Sequence, residues 1–230
     1  MVKALLFDLD GTLLDSVDDL TVAINNTLSA RFLPQISRAD VALFIGKGAK
    51  VLVERALRKS MQREPEANFV DEVLPEYLKQ MQLAEGTRTK VLPYVPDALK
   101  QLFEAGYKMA VVTNKPGVIA RKLLSQYKLL DYFQTAIGAG DVSSVKPNPE
   151  MLLLAAKRMG VDIHECAMIG DSLNDSFAGK NAGIQVFLLK TGYNEGVVID
   201  EWARVNAPDD IVFDTMKELS EFLLENERRK

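Results

Sequence analysis

The sequence predicts an α/β fold, a Rossmann-like parallel sheet flanked by helices, with an all-helical cap inserted after the first strand. Three observations carry that prediction. Short apolar runs with strand character alternate with helical-period segments over the last two thirds of the chain. Three of those runs end abruptly in polar residues. Between residues 16 and 85 no strand pattern appears at all.

The first strand is expected over residues 2–7, and it stops at Asp8-Leu9-Asp10-Gly11-Thr12. A helix follows over 17–32. Leu20, Ile24, Thr27, Leu28 and Phe32 share one face, Asn25, Asn26 and Arg31 lie off it, and Pro34 ends it. Ser37 or Asp40 can cap a short helix that stops near Gly46-Lys47-Gly48. Helices over 51–57 and 69–83 complete the block. Residues 85–90 are polar, contain Gly86 and read as a linker. The expected domains are therefore a catalytic core of residues 1–15 and 86–230, and a cap of residues 16–85.

Beyond the linker, Val95, Ala98, Leu99, Leu102 and Phe103 form a helical stripe, with Gly106 as C-cap. Strands are expected over 108–113, 135–138, 167–169, 185–189 and 211–213. Helices are expected over 118–127, 150–159, 175–182 and 216–224, the second stopped by Gly160. Such alternation implies a parallel sheet covered on both faces. The last four residues, 227–230, read as a solvated tail.

With 230 residues, 47% of them hydrophobic, the chain can bury a sizeable core. Its net charge of −4 argues against nucleic-acid or membrane-surface binding. One cysteine, Cys166, excludes an internal disulfide and suggests a reducing compartment. It reads as a buried structural thiol, and the lone His164 as a surface residue. The first residues lack a secretory pattern, because Lys3 is their only basic residue and Asp8 interrupts the apolar run. No stretch approaches the roughly 20 apolar residues of a membrane span. The expectation is a soluble, cytoplasmic monomer or homodimer with no nucleic-acid or membrane partner.

The polar strand ends carry the chemistry. The first offers Asp8 and Asp10, the second Thr113 and Asn114, and a later one Asp171 with Asp175 four residues on. Lys146 lies between the last two sets, before Pro147 and Pro149. Open α/β sheets bind ligands at the carboxyl ends of their strands. Carboxylates gathered at one point repel each other and call for a cation. Oxygen donors, with a single histidine and a single cysteine in the chain, select Mg²⁺ over zinc. A lysine and a threonine hydroxyl beside that ion suit a phosphoryl group. A carboxylate can attack phosphorus, and a second can protonate the leaving oxygen and then activate water. Taken singly, each of these motifs is an ordinary turn; their order along successive strand ends favours a site.

Asp8-Leu9-Asp10-Gly11-Thr12, Thr113-Asn114, Lys146-Pro147 and Gly170-Asp171-Ser172-Leu173-Asn174-Asp175 resemble the four ordered motifs of the haloacid-dehalogenase-like hydrolases. The resemblance implies an Mg²⁺-dependent phosphomonoester hydrolase working through an aspartyl phosphate. It implies Asp8 as nucleophile and metal ligand, and Asp10 as general acid and base whose backbone carbonyl also ligates. Thr113, the Asn114 backbone and Lys146 would hold the phosphoryl group, Asp171 the metal, with Asp175 acting close by. The acid at position 10 favours the phosphatase and phosphomutase branches over the dehalogenases. Phe44-Ile45-Gly46-Lys47-Gly48-Ala49, Val53-Glu54-Arg55-Ala56-Leu57 and Thr191-Gly192-Tyr193-Asn194 resemble the phosphoglycolate phosphatase subfamily. That implies a small phosphorylated substrate, 2-phosphoglycolate, with Lys47 or Arg55 meeting its carboxylate. Another small phosphate, such as a sugar phosphate, a nucleotide or pyrophosphate, remains an alternative. So does β-phosphoglucomutase-like transfer to a sugar hydroxyl.

Overall fold

Strand β1 (Ala4–Phe7) is fully buried along its length because it sits in the middle of a sheet covered on both faces. The computed structural model describes residues 2–228. The six-stranded sheet also contains β4 (Lys108–Pro116), β5 (Thr135–Ala139), β6 (Cys166–Gly170), β7 (Gln185–Leu189) and β8 (Ile211–Phe213). Their order is β5-β4-β1-β6-β7-β8, with every neighbour parallel. Phe7 lies level with Val111 of β4 and with Ile169 of β6. The residues just past these three positions therefore emerge together. The strand order reverses at β1, and open sheets have a crevice at such a reversal.

Alternation along β1 sorts its side chains between two layers. Leu5 and Phe7 join the core made with α5 (Val95–Glu104), α6 (Gly117–Gln126) and α10 (Met216–Arg228). Ala4 and Leu6 join the core made with α7 (Glu150–Met159), α8 (Leu173–Ala182) and α9 (Ile199–Asn206).

The excursion after β1 holds α1 (Val17–Ala30), α2 (Arg38–Ala42), α3 (Ala49–Met61) and α4 (Ala67–Ala84). Helix α1 packs along α4, and α3 packs on α4 as well. The Ser37 hydroxyl accepts from the Asp40 N–H, and the Asp40 carboxylate accepts in return from the Ser37 N–H. That reciprocal cap starts the short α2. A two-strand ribbon joins the block to the sheet: β2 (Leu14–Asp15) runs antiparallel to β3 (Lys90–Val91).

The return crossing is tied to α1 by one side chain. The buried Asp19 carboxylate accepts from the N–H groups of Gly86, Arg88 and Thr89 and from the hydroxyls of Thr87 and Thr89, at 2.6–3.0 Å. Burial alone would raise its pKa, but the bonds from Thr89 and Thr87 outweigh burial and hold it below the ordinary 3.8. This stabilisation is fully present above the unfolded-state pKa and is lost as pH falls through the lower folded value. Asp19→Asn is expected to cost about 2 kcal/mol at pH 7, since an amide offers one acceptor where five donors converge. Thermal unfolding at pH 7 and pH 3 checks this: the gap between wild type and variant should narrow at the lower pH.

Several local expectations need correction. Helix α1 ends at Ala30, and Phe32, expected on its buried face, is 98% exposed with φ at +58°. Phe103 lies on the predicted stripe of α5 yet is half exposed, resting edge-on against Tyr132. The linker over 85–90 ends inside β3. Helix α9 was not expected from the sequence. Helix α10 takes in Glu227 and Arg228, and the rest of the expected tail, residues 229 and 230, lies outside the described residues. No described helix is long and apolar enough to cross a membrane.

Candidate active site

The three central strands deliver the site. Asp8 follows β1, and its N–H still donates to Ile169 of β6, so the ladder carries it to the sheet edge. Gly11 then turns the chain with φ at +91°, and a Cβ there would collide with the Asp171 carboxylate. Gly192 presses on that carboxylate from another side, where a Cβ is equally excluded. The Thr12 hydroxyl and the Tyr193 N–H each donate to Asp171, both at 2.7 Å. Asp171 is thus clasped between the turn after β1 and the loop after β7.

Lys146 is buried and lies between two acids, 2.9 Å from Asp8 and 2.7 Å from Asp175. Asp175 is also held by its own loop. Its second oxygen accepts from the N–H groups of Asp171 and Ser172 and from the Ser172 hydroxyl. The Asn114 side chain accepts from the Lys146 N–H and donates to its carbonyl, so it positions the lysine loop. It also donates to the Gly46 carbonyl at 3.0 Å and so meets the α2–α3 loop. Thr113 and Asn114 line a pocket with Asp8 and Asp10, walled by Leu20, Ile45, Leu52, Tyr77 and Met81.

The electrostatics follow from this crowding. Burial pushes the Asp8 carboxyl up to about 7, with Lys146 opposing and Asp175 adding to the rise. Asp171 is pushed well above the ordinary range by burial, then by Asp175 and Asp8. Burial disfavours the Lys146 charge, yet Asp175 and Asp8 outweigh it and raise its pKa.

Asp8, Asp171 and Asp175 each present an oxygen within 4.8 Å of the others. Lys146 supplies one positive charge against three buried carboxylates. That imbalance and the oxygen-only donor set fit a hard divalent cation. Cys166 is no competitor: it is buried, and burial raises its thiol to about 11. His164 is exposed, as the sequence suggested.

Asp8, Asp10, Thr113, Asn114, Lys146, Asp171 and Asp175 thus meet at one edge of the sheet. Lys47 and Arg55 do not join the pocket lining. Both are paired with Glu195, at 2.9 and 2.8 Å, and Arg55 also donates to the Leu43 carbonyl. Sequence reasoning passed over Lys115, which is buried in the pocket wall and reaches Asp10 and Glu85. Its signal was a third polar residue after Thr113-Asn114, on a strand that runs on to Pro116.

A family model described as haloacid dehalogenase-like hydrolase matches residues 5–189. The chain belongs to that family. It is 35% identical over 195 residues to the phosphoglycolate phosphatase of Nitrosospira multiformis, covering 85% of this chain and 86% of that protein. It is 37% identical over 231 residues to the phosphoglycolate phosphatase of Vibrio cholerae, covering 97% of each. A crystal structure described as a predicted phosphoglycolate phosphatase from Haemophilus somnus superposes with a TM-score of 0.86 at 30% identity. The match covers 96% of this chain and 98% of that one. Among family members, this chain is an enzyme of phosphatase type, similar to phosphoglycolate phosphatases.

Proposed function

We propose that the protein hydrolyses a small phosphate monoester through a phosphoryl group carried on Asp8, and that the ester is 2-phosphoglycolate. The observation that carries the mechanism is the Asp8 carboxylate in the pocket lining, 2.9 Å from the Lys146 ammonium and two residues from Asp10. An Asp8 oxygen attacks phosphorus as the bond to the leaving oxygen breaks. Asp10 supplies that oxygen with its proton. Asp10 then takes a proton from a water that attacks the same phosphorus, releasing phosphate and freeing Asp8. Lys146, the Thr113 hydroxyl and the Asn114 N–H hold the phosphoryl oxygens while charge redistributes.

Asp8 and Asp171, with the Asp10 carbonyl, would hold Mg²⁺, and Asp175 would brace the loop that carries Asp171. Bound there, the ion would neutralise phosphoryl charge as a Lewis acid. The helical block of residues 16–85 acts as a cap over residues 1–15 and 86–230, excluding water at the pocket.

The likeness to phosphoglycolate phosphatases over most of the chain supports the choice of ester. Lys47 and Arg55 can meet the substrate carboxylate only if their pairing with Glu195 opens. Phosphate release measured across 2-phosphoglycolate, sugar phosphates, nucleotides and pyrophosphate tests the assignment. The highest kcat/KM is expected for 2-phosphoglycolate. A clear preference for any other member of that panel would overturn the choice, and phosphoryl transfer to a sugar without phosphate release would make the protein a mutase.

A further inference from the structure

Asp10 is held from two sides. The Ser16 hydroxyl donates to its Oδ1 at 2.5 Å. Lys115 Nζ reaches both of its oxygens, at 3.1 and 3.2 Å. The same Nζ lies 2.8 Å from Glu85 Oε1. The Lys115 side chain is 2% exposed and that of Glu85 is fully buried. Neither Glu85 oxygen has a hydrogen-bond partner of good geometry among the described residues, and Lys115 is the cation that faces it.

The placement in the chain adds meaning. Ser16 precedes α1 on the outgoing crossing, and Glu85 follows α4 on the return crossing. Asp10 is therefore linked to both segments that join the helical block to the sheet. A buried lysine between two acids costs desolvation, and a packed apolar side chain would often serve stability as well or better.

We infer that Lys115 is a positioning residue, which aims the Asp10 carboxyl at the leaving oxygen, and that Glu85 anchors Lys115 for this task. The inference rests on the reading of Asp8 as nucleophile and Asp10 as acid. Its consequence depends on the leaving group. An alkoxide needs the proton that Asp10 delivers, whereas p-nitrophenolate leaves without one. kcat/KM reports the steps up to departure of the leaving group, so it isolates the acid role from the later attack of water.

The experiment measures kcat/KM of wild type, Lys115→Met, Glu85→Gln, Asp10→Asn and Asp8→Asn on 2-phosphoglycolate and on p-nitrophenyl phosphate. Lys115→Met should lose about 100-fold on 2-phosphoglycolate and at most a tenth as much on the aryl ester. Glu85→Gln keeps the shape of the buried side chain and should show the same split at smaller size. It decides the matter if Lys115→Met does not fold. Equal losses on both esters, or none on either, overturn the inference. Asp8→Asn keeps the two readings apart. If it turns over either ester, the nucleophile reading itself falls. If it is dead, and Asp10→Asn shows the split while the Lys115 and Glu85 variants do not, only the positioning role falls.

Discussion

Asp8→Asn is expected to abolish turnover, lowering kcat by at least about 10⁴-fold, the scale on which removal of a nucleophile acts. An amide oxygen is neutral and a poor nucleophile, and the neighbouring carboxylates are engaged elsewhere. Asp10 is committed to Ser16 and Lys115, Asp171 to Thr12 and Tyr193, and Asp175 to Lys146 and Ser172. The loss should not come from unfolding. Burial and Asp175 already disfavour the Asp8 charge, and Lys146 keeps Asp175 as its partner when Asp8 is neutral. Thermal unfolding should therefore stay close to wild type while phosphate release falls to background. Residual turnover well above background would exclude covalent catalysis through Asp8.

Removal of divalent metal is expected to be as severe. Without a cation, three buried carboxylates share the single charge of Lys146. Dialysis against a chelator should eliminate phosphate release, and added Mg²⁺ should restore it. A second readout is independent of activity. A ligand that binds only the folded chain raises its stability by mass action. Mg²⁺ should raise the Tm of the wild type and leave that of Asp171→Asn unmoved. Full activity after rigorous metal removal would refute the metal assignment, and an equal Tm rise in Asp171→Asn would place the ion elsewhere.

Much of the architecture was legible because burial leaves a periodic trace. The four residues of β1 are apolar because both faces of the sheet are covered, and α5 shows its stripe because one side packs on that sheet. The polar ends of β1, β4 and β6 stood out for the converse reason: hydrophilic side chains follow buried runs where the strands reach the edge. What escaped was set by partners distant in sequence. Lys115 gains its meaning from Glu85, 30 positions earlier, and no local pattern couples them. Lys47 and Arg55 looked like free cations because Glu195 lies 148 and 140 residues away. Phe103 fits the helical period, but Tyr132 sits at the margin of the core and leaves part of its ring in solvent. Helix α9 buries only Ile199 and Ala203 among its eight residues, too few to mark a period. The two-residue strands β2 and β3 exist only because they pair with each other.

The chemistry at Asp8 can be caught directly. In Asp10→Asn, p-nitrophenyl phosphate still phosphorylates the enzyme, because its leaving group needs no proton, while the later attack of water lacks its base. Mixing this variant with the aryl ester, quenching in acid within the burst of p-nitrophenol and mapping the digest by mass spectrometry should place one phosphoryl group per chain on Asp8. A burst of p-nitrophenol with no phosphoryl group on the protein, or with that group on another residue, would contradict covalent catalysis at Asp8.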